Sequence, residues 1–344
     1  MIFTSPLVDN ARLLALLTCL LAPLMLQSAD AASVEEWRKR SIYQVMTDRF
    51  AMSGQGGSHT IEQCTHDGMY CGGTWEGLIE HLDYIQGMNF NAVWISPVVR
   101  NLPQHTVDGE GYAGYWSQDL YSLNENFGYE HDLLRLVDAL HSRDMLFMMD
   151  VVPNHMAYNG NATGEIDYEV FNPFNKAKYF HPFCPMDYSG ENATALQECW
   201  LGSDEVPLVD LKTEDEEVAE MFGEWIEWMV ETYKVDGLRI DAGVNVAPEF
   251  LSQFVERAGV FSTAEVYIED VGIACDYQEA MGSVLNYPLY WPMTEAFQNG
   301  GSMADLKSMM DQQAEECPDV TSLTTFSEVG KKQIPVPVSQ LTSP

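Results

Sequence analysis

Two acidic side chains lie near the ends of successive strand-like stretches: Asp241 closes Val235–Asp241, and Glu265 lies within Val260–Val266. Carboxylates brought to one pocket are residue types for nucleophilic and acid–base chemistry. Side chains alternate across a strand, so Arg239 and Asp241 share one face while Leu238 and Ile240 share the other. An arginine beside an aspartate favours the ionised acid. Glu265 follows Asp241 by 24 residues, with a helical pattern from about Ala247 to Ala258 between them. That separation is about one crossover unit of a parallel sheet. Active sites of such sheets lie outside the carboxyl ends of the strands. The spacing therefore predicts both acids at one pocket.

The elements that must hold the pair alternate along the chain. Ser41–Met46 reads as a first strand, and Thr74 caps a helix carrying Leu78, Ile79, Leu82 and Ile85 at helical spacing. Asn91–Ile95 is a continuous apolar strand of the buried parallel kind. A polar, aromatic loop through Tyr112, Tyr115 and Trp116 precedes a helix opened by His131-Asp132, with Leu133, Leu136, Val137 and Leu140 on one face. Met145–Val152 is a third strand, running into Pro153-Asn154-His155. From Met156 to about Asp210 the pattern breaks into Asn, Gly, Tyr and Pro, which reads as a small irregular insertion. Alternation resumes with a helix carrying Val218, Phe222, Trp225, Ile226, Met229 and Tyr233. The Asp241 and Glu265 strands follow, then Ser283–Pro288 and Thr321–Phe326, giving seven strand candidates in all.

The chain's 344 residues are 46% hydrophobic, enough for one large domain or two small ones. Arg12 precedes a 14-residue apolar run, Leu13 to Leu26, followed by Ser28-Ala29-Asp30-Ala31-Ala32. Residues 1–31 read as a secretory signal, cleaved near Ala31 or Ala32. A spanning helix needs about 20 apolar residues, so the run is too short for one. Beyond Cys19, six cysteines remain: Cys64, Cys71, Cys184, Cys199, Cys275 and Cys317. An even number in a secreted chain suggests disulfides, most simply between neighbours. Asn161-Ala162-Thr163 and Asn192-Ala193-Thr194 are glycosylation acceptors, which places the insertion at the surface. Seventeen basic against 52 acidic side chains give a formal net charge of −35. Such a surface repels nucleic acid and anionic membrane and suits a neutral substrate or a bound cation.

Several stretches carry a family resemblance. They are Asp150-Val151-Val152-Pro153-Asn154-His155, Gly237-Leu238-Arg239-Ile240-Asp241 and Ala264-Glu265-Val266, with Cys71–Trp75, Asp83–Met88, Tyr121–Asn126 and Cys199–Gly202. In this order and spacing, over about Trp37 to Glu328, the chain resembles secreted fungal α-amylases of the Taka-amylase type, among the retaining α-glucan hydrolases. The resemblance implies a (β/α)8 barrel over residues 32–155 and 211–329, with a calcium-binding insertion at 156–210. It also implies an extracellular, monomeric endo-hydrolase of α-1,4-glucans such as starch.

Residue by residue, Asp241 resembles the nucleophile and Glu265 the general acid/base of that family. Retaining glycosidases place two carboxyls roughly 5–5.5 Å apart, one to attack the anomeric carbon and one to protonate the leaving oxygen. Arg239 would keep Asp241 ionised, and an apolar surround would let Glu265 hold a proton. His155 resembles a residue that binds a sugar hydroxyl. Tyr115 and Trp116 resemble its stacking platform, although core or rim aromatics would look the same. Asn154 and Asp210 match side-chain ligands of calcium, and Gln197 and Asn245 fall at backbone-carbonyl ligands. The implied disulfides are Cys64–Cys71, Cys184–Cys199 and Cys275–Cys317.

The chain departs from the family at three places. Ala113 stands where the family has His before Gly-Tyr-Trp, and Val244-Asn245 replaces a Lys-His pair that contacts reducing-end sugars. Phe326-Ser327-Glu328-Val329-Gly330-Lys331 stands where the family has Phe-Val-Glu-Asn-His-Asp, so Lys331 occupies the position of a third catalytic carboxylate. Residues 330–344 read as an unrelated, disordered tail, with the eighth strand and the β domain absent. Two other readings follow: a truncated, catalytically inactive or glucan-binding relative, and a transglycosylase using the same carboxylates. Hydrolysis and transfer share one covalent intermediate and differ in the acceptor.

Overall fold

In the computed structural model, residues 31–54, 68–187 and 193–326 are described. The signal segment before Ala31, Cys64, Asn192, Lys331 and the 330–344 tail lie outside them.

Ten strands occur among the described residues. The first five are β1 (Ile42–Val45), β2 (Ala92–Ile95), β3 (Val99–Asn101), β4 (Ser117–Leu123) and β5 (Leu146–Val151). The rest are β6 (His155–Ala157), β7 (Leu201–Gly202), β8 (Pro207–Asp210), β9 (Gly237–Ile240) and β10 (Phe261–Ala264). One parallel sheet runs in the order β1-β2-β5-β9-β10. Strands β2, β5, β9 and β10 are mostly buried, as in a sheet covered on both sides. Register sets up the site: Asp150 pairs with Arg239, Arg239 with Thr263, and Ile240 with Ala264. Asp241 and Glu265, one residue further on, therefore leave adjacent strands at the same level.

The two last expected strands shrink to single parallel bridges, Ala264 to Val284 and Leu285 to Thr324. Local structure is the reason. Asn286 already caps the next helix, which has Pro288 in its first turn. Thr321 is drawn into a one-turn helix capped by Asp319. Five strands and two bridged segments thus follow in parallel order, and no pairing among the described residues joins Thr324 back to β1. The insertion, expected to be irregular, carries an antiparallel sheet in the order β6-β8-β7.

Helices alternate with the strands: α1 (Trp75–Glu80), α2 (Leu82–Gly87), α3 (Glu130–His141), α4 (Glu216–Tyr233), α5 (Pro248–Ala258), α6 (Val271–Met281), α7 (Tyr287–Gln298) and α8 (Met303–Glu316). Thr74 caps α1 through Gly77 N, but the single helix expected there breaks at His81. The His81 Nδ1 lies 2.8 Å from Gly77 O and competes for a helical acceptor. In α4, Asp215 caps the start and Lys234 ends the helix in the left-handed region at φ 52°. The apolar stripe Val218, Phe222, Trp225, Ile226, Met229 and Tyr233 is buried, each large side chain contributing about 1.5–3 kcal/mol. Disulfides join Cys184 to Cys199 and Cys275 to Cys317, two of the three neighbour pairs. Among the described residues no helix is long and apolar enough to cross a membrane.

Candidate active site

The site grows from the row Asp150–Arg239–Thr263 across the sheet. Arg239, on β9, points Nη1 at both oxygens of Asp150 on β5, at 3.0 and 3.1 Å. The same nitrogen donates to Asp241 Oδ1 at 2.6 Å. Nη2 lies 2.8 Å from Glu265 Oε2. One guanidinium therefore gathers three carboxyls, Asp150, Asp241 and Glu265.

Backbone geometry completes the arrangement. Directly after Asp241, Ala242 takes a left-handed conformation at φ 49°, ψ 37°, a strained choice for a residue with a side chain. The turn aims Ala242 N at Glu265 Oε2, 3.2 Å away. Gly243 follows because a Cβ there would sit 2.7 Å from the Ala264 Cβ. The other oxygen, Glu265 Oε1, accepts a hydrogen bond from Tyr287 Oη at 3.2 Å. Glu265 thus meets three donors: Arg239 Nη2, Ala242 N and Tyr287 Oη.

Accessibility separates the acids. The Asp150 side chain is fully sealed, whereas Asp241 and Glu265 retain 14% and 19% exposure. Asp150 also accepts from Trp94 Nε1 at 2.9 Å and Tyr115 Oη at 3.0 Å. Burial pushes its carboxyl up to about 6, against the pull of Arg239. Burial likewise pushes Asp241 well above its ordinary range; Arg239 opposes the shift, and the charges of Glu265 and Asp150 add to it. Arg239 was expected to hold Asp241 ionised, but it is shared among three acids. One positive charge is divided among Asp150, Asp241 and Glu265, and burial outweighs its pull on Asp150 and Asp241.

Tyr115 packs its ring 5.8 Å from the Arg239 guanidinium, and its hydroxyl is committed to Asp150. Trp116 packs instead against Leu102, Ala157 and Val206 at the base of the insertion. His155 is 1% exposed. Its Nε2 donates to Tyr115 O at 3.0 Å, and Nδ1 faces Asn154 Nδ2 at 3.3 Å. Burial lowers its pKa to about 4, so the ring is neutral. Contact with a sugar hydroxyl requires one of these bonds to yield.

Asp150, Trp94 and Tyr287 are the site residues that sequence reasoning did not single out. Asp150 opened a quoted motif and ended a strand, which was the available signal. Tyr287 had none, because it reaches Glu265 from the start of α7.

Comparison with known proteins agrees with this geometry. The family described as alpha-amylase, catalytic domain, matches residues 44–329. The chain belongs to the α-amylase family. Alpha-amylase 1 of Lipomyces kononenkoae is 44% identical over 325 residues, covering 93% of this chain and 51% of that protein. A solved α-amylase from Malbranchea cinnamomea superposes with a TM-score of 0.81 at 44% identity, over 87% of this chain and 62% of that one. The α-amylase of Geobacillus thermoleovorans, solved with acarbose, gives a TM-score of 0.69 at 28% identity, over 82% and 59%. The chain spans about half to three fifths of the length of these α-amylases.

The expected calcium ligands fall into two joined pairs. Asn154 and Asp210 meet where β6 pairs with β8, and Asn245 Nδ2 donates to Leu196 O, beside Gln197, at 2.8 Å. Asp210 is fully buried. Its Oδ2 lies 2.7 Å from His181 Nδ1, while its Oδ1 has no hydrogen-bond partner. Burial pushes this carboxyl up to about 7. An orphaned, buried carboxylate oxygen is the kind of donor that a hard cation takes. Among the described residues no group of three or more His, Cys, Asp and Glu side chains is placed to hold a metal. The expected set needs only one carboxylate.

Proposed function

We propose that this chain is an extracellular hydrolase of α-1,4-glucans that cleaves internal bonds with retention. The observation that carries the reading is the convergence of Asp241 and Glu265 on Arg239 at the ends of adjacent parallel strands. Asp241 attacks the anomeric carbon, Glu265 protonates the departing glycosidic oxygen, and Glu265 then activates water against the covalent intermediate. Arg239 fixes both acids, Tyr115 borders the sugar beside Asp150, and His155 binds a sugar hydroxyl. Calcium, held by Asn154 and Asp210 with the carbonyls of Gln197 and Asn245, would tie the 156–210 insertion to the barrel. Residues 1–31 act as the secretory leader, and Asn161, exposed on the insertion, carries glycan. The acidic surface suits a neutral polysaccharide.

Release of reducing sugar from starch, with covalent capture of a fluorinated glucosyl donor, tests the reading. Asp241→Asn should abolish the capture, and acarbose should compete with it. Capture that survives in this variant would refute the nucleophile assignment. Lys331 favours a second reading, a glucan-binding relative with little turnover. Loss of one electrostatic contact to the transition state costs about 10²–10³ in rate. Under that reading the chain binds maltooligosaccharide while hydrolysing it slowly, and Lys331→Asp raises the rate.

A further inference from the structure

Glu265 has two chemically different oxygens. Oε2 faces Arg239 Nη2 at 2.8 Å and the Ala242 amide at 3.2 Å. Neither group can accept a hydrogen bond, so a proton on Oε2 would point at donors. Oε1 faces the Tyr287 hydroxyl at 3.2 Å, a group that both donates and accepts. Tyr287 is itself held. It stands at the first position of α7, is nearly fully buried, and packs against Tyr267 at 4.8 Å and Phe326 at 5.0 Å between ring centres. Burial raises its pKa well above the ordinary value, so the phenol keeps its proton.

Resting on the proposed reaction, we infer that Tyr287 is the positioning residue for the acid step, holding the transferable proton of Glu265 on Oε1. Before the step, Oε1–H donates to the phenol oxygen. During it the Oε1–H bond breaks and the glycosidic oxygen takes the proton. The bond from that oxygen to the anomeric carbon breaks, its electron pair stays on the oxygen, and an Asp241 oxygen bonds the carbon. Afterwards the phenol turns and donates to the Glu265 carboxylate. A hydrogen bond to a charged group contributes about tenfold or more to an equilibrium. The charged and titratable groups around Glu265 are Arg239, Asp241, Tyr115, Tyr267 and Tyr287. Among the described residues, the side chain hydrogen-bonded to Oε1 is that of Tyr287.

The full chain tests this in single-turnover assays with two aryl maltosides, one with a poor and one with a good leaving group. Glu265→Gln should slow the poor leaving group about 10²-fold or more and spare the good one. Equal slowing of both would overturn the acid assignment, and the inference with it. Given the Glu265→Gln pattern, Tyr287→Phe should slow the poor leaving group about tenfold, spare the good one and leave KM unchanged. Equal slowing of both substrates by Tyr287→Phe would show mere structural support and overturn the inference alone. Because that variant removes a buried hydroxyl, 3-fluorotyrosine at position 287 serves as a second probe that keeps the packing. Its more acidic phenol donates more strongly to the carboxylate, so the basic limb of kcat/KM should move to lower pH. An unmoved limb would overturn the inference.

Discussion

Arg239 Nη1 lies 3.0 Å from Asp150 Oδ1, and these two residues face each other in register on neighbouring strands. The sealed aspartate anchors the guanidinium; the two more open acids, Asp241 and Glu265, then use what remains of its donors. Removing Asp150 leaves the buried donors Trp94 Nε1 and Tyr115 Oη without their acceptor, at a cost of about 1–3 kcal/mol for each group. Asp150→Ala should therefore lower stability by about 3 kcal/mol and release Arg239 from its orientation. Chemical denaturation reads the first effect, and covalent capture at Asp241 the second. Full capture at unchanged stability would show that Asp150 is not the anchor.

Asp150 also makes stability depend on pH. Its folded-state value of about 6 lies above its ordinary 3.8, so the folded protein binds this proton more tightly than the unfolded chain. The resulting stabilisation is complete below about pH 4 and is lost as pH rises through about 6, on the order of 3 kcal/mol in all. Asp241 shifts in the same direction. Melting temperatures between pH 4.5 and 7.5 in chelator should fall with pH, and fall less in Asp150→Asn. Parallel curves for the two proteins would exclude Asp150 as the source.

Calcium should stabilise the fold through Asp210. A ligand that binds only the folded state adds about 2.7 kcal/mol at a hundredfold excess over its dissociation constant. A chelator should lower the melting temperature of the full chain, and calcium should restore it. In Asp210→Ala the difference between the two conditions should vanish. A calcium response retained in that variant would move the site elsewhere.

Phe222 of α4 ties the insertion to the helices behind the sheet. Its ring lies 4.7 Å from that of Phe174, 5.6 Å from Phe250 and 6.0 Å from Trp225. Phe222→Ala should cost about 3–5 kcal/mol through lost burial and the cavity left behind. Phe222→Leu, which keeps most of the volume, should cost much less. Similar denaturation midpoints for both variants would show that the neighbours collapse into the space.

Local pattern was enough for much of the framework. The stripe of α4, the Thr74 cap and the Ala247–Ala258 helix follow from the 3.6-residue period and from capping chemistry, which act within a few residues. The placement of Asp241 and Glu265 on neighbouring strands was also legible, because one crossover unit separates them. The tertiary structure decided what lies across the sheet. Asp150 and Arg239 are 89 residues apart and meet only through strand register, so nothing near either residue announces the anchor. Tyr287 reaches Glu265 from a helix start, and the same helix cuts Ser283–Pro288 down to a bridge. His155 and Trp116 found protein partners, Tyr115 O for the one and Leu102, Ala157 and Val206 for the other. A hydrogen bond or a packing contact belongs to whichever group the folded chain delivers, and a single sequence does not record that delivery.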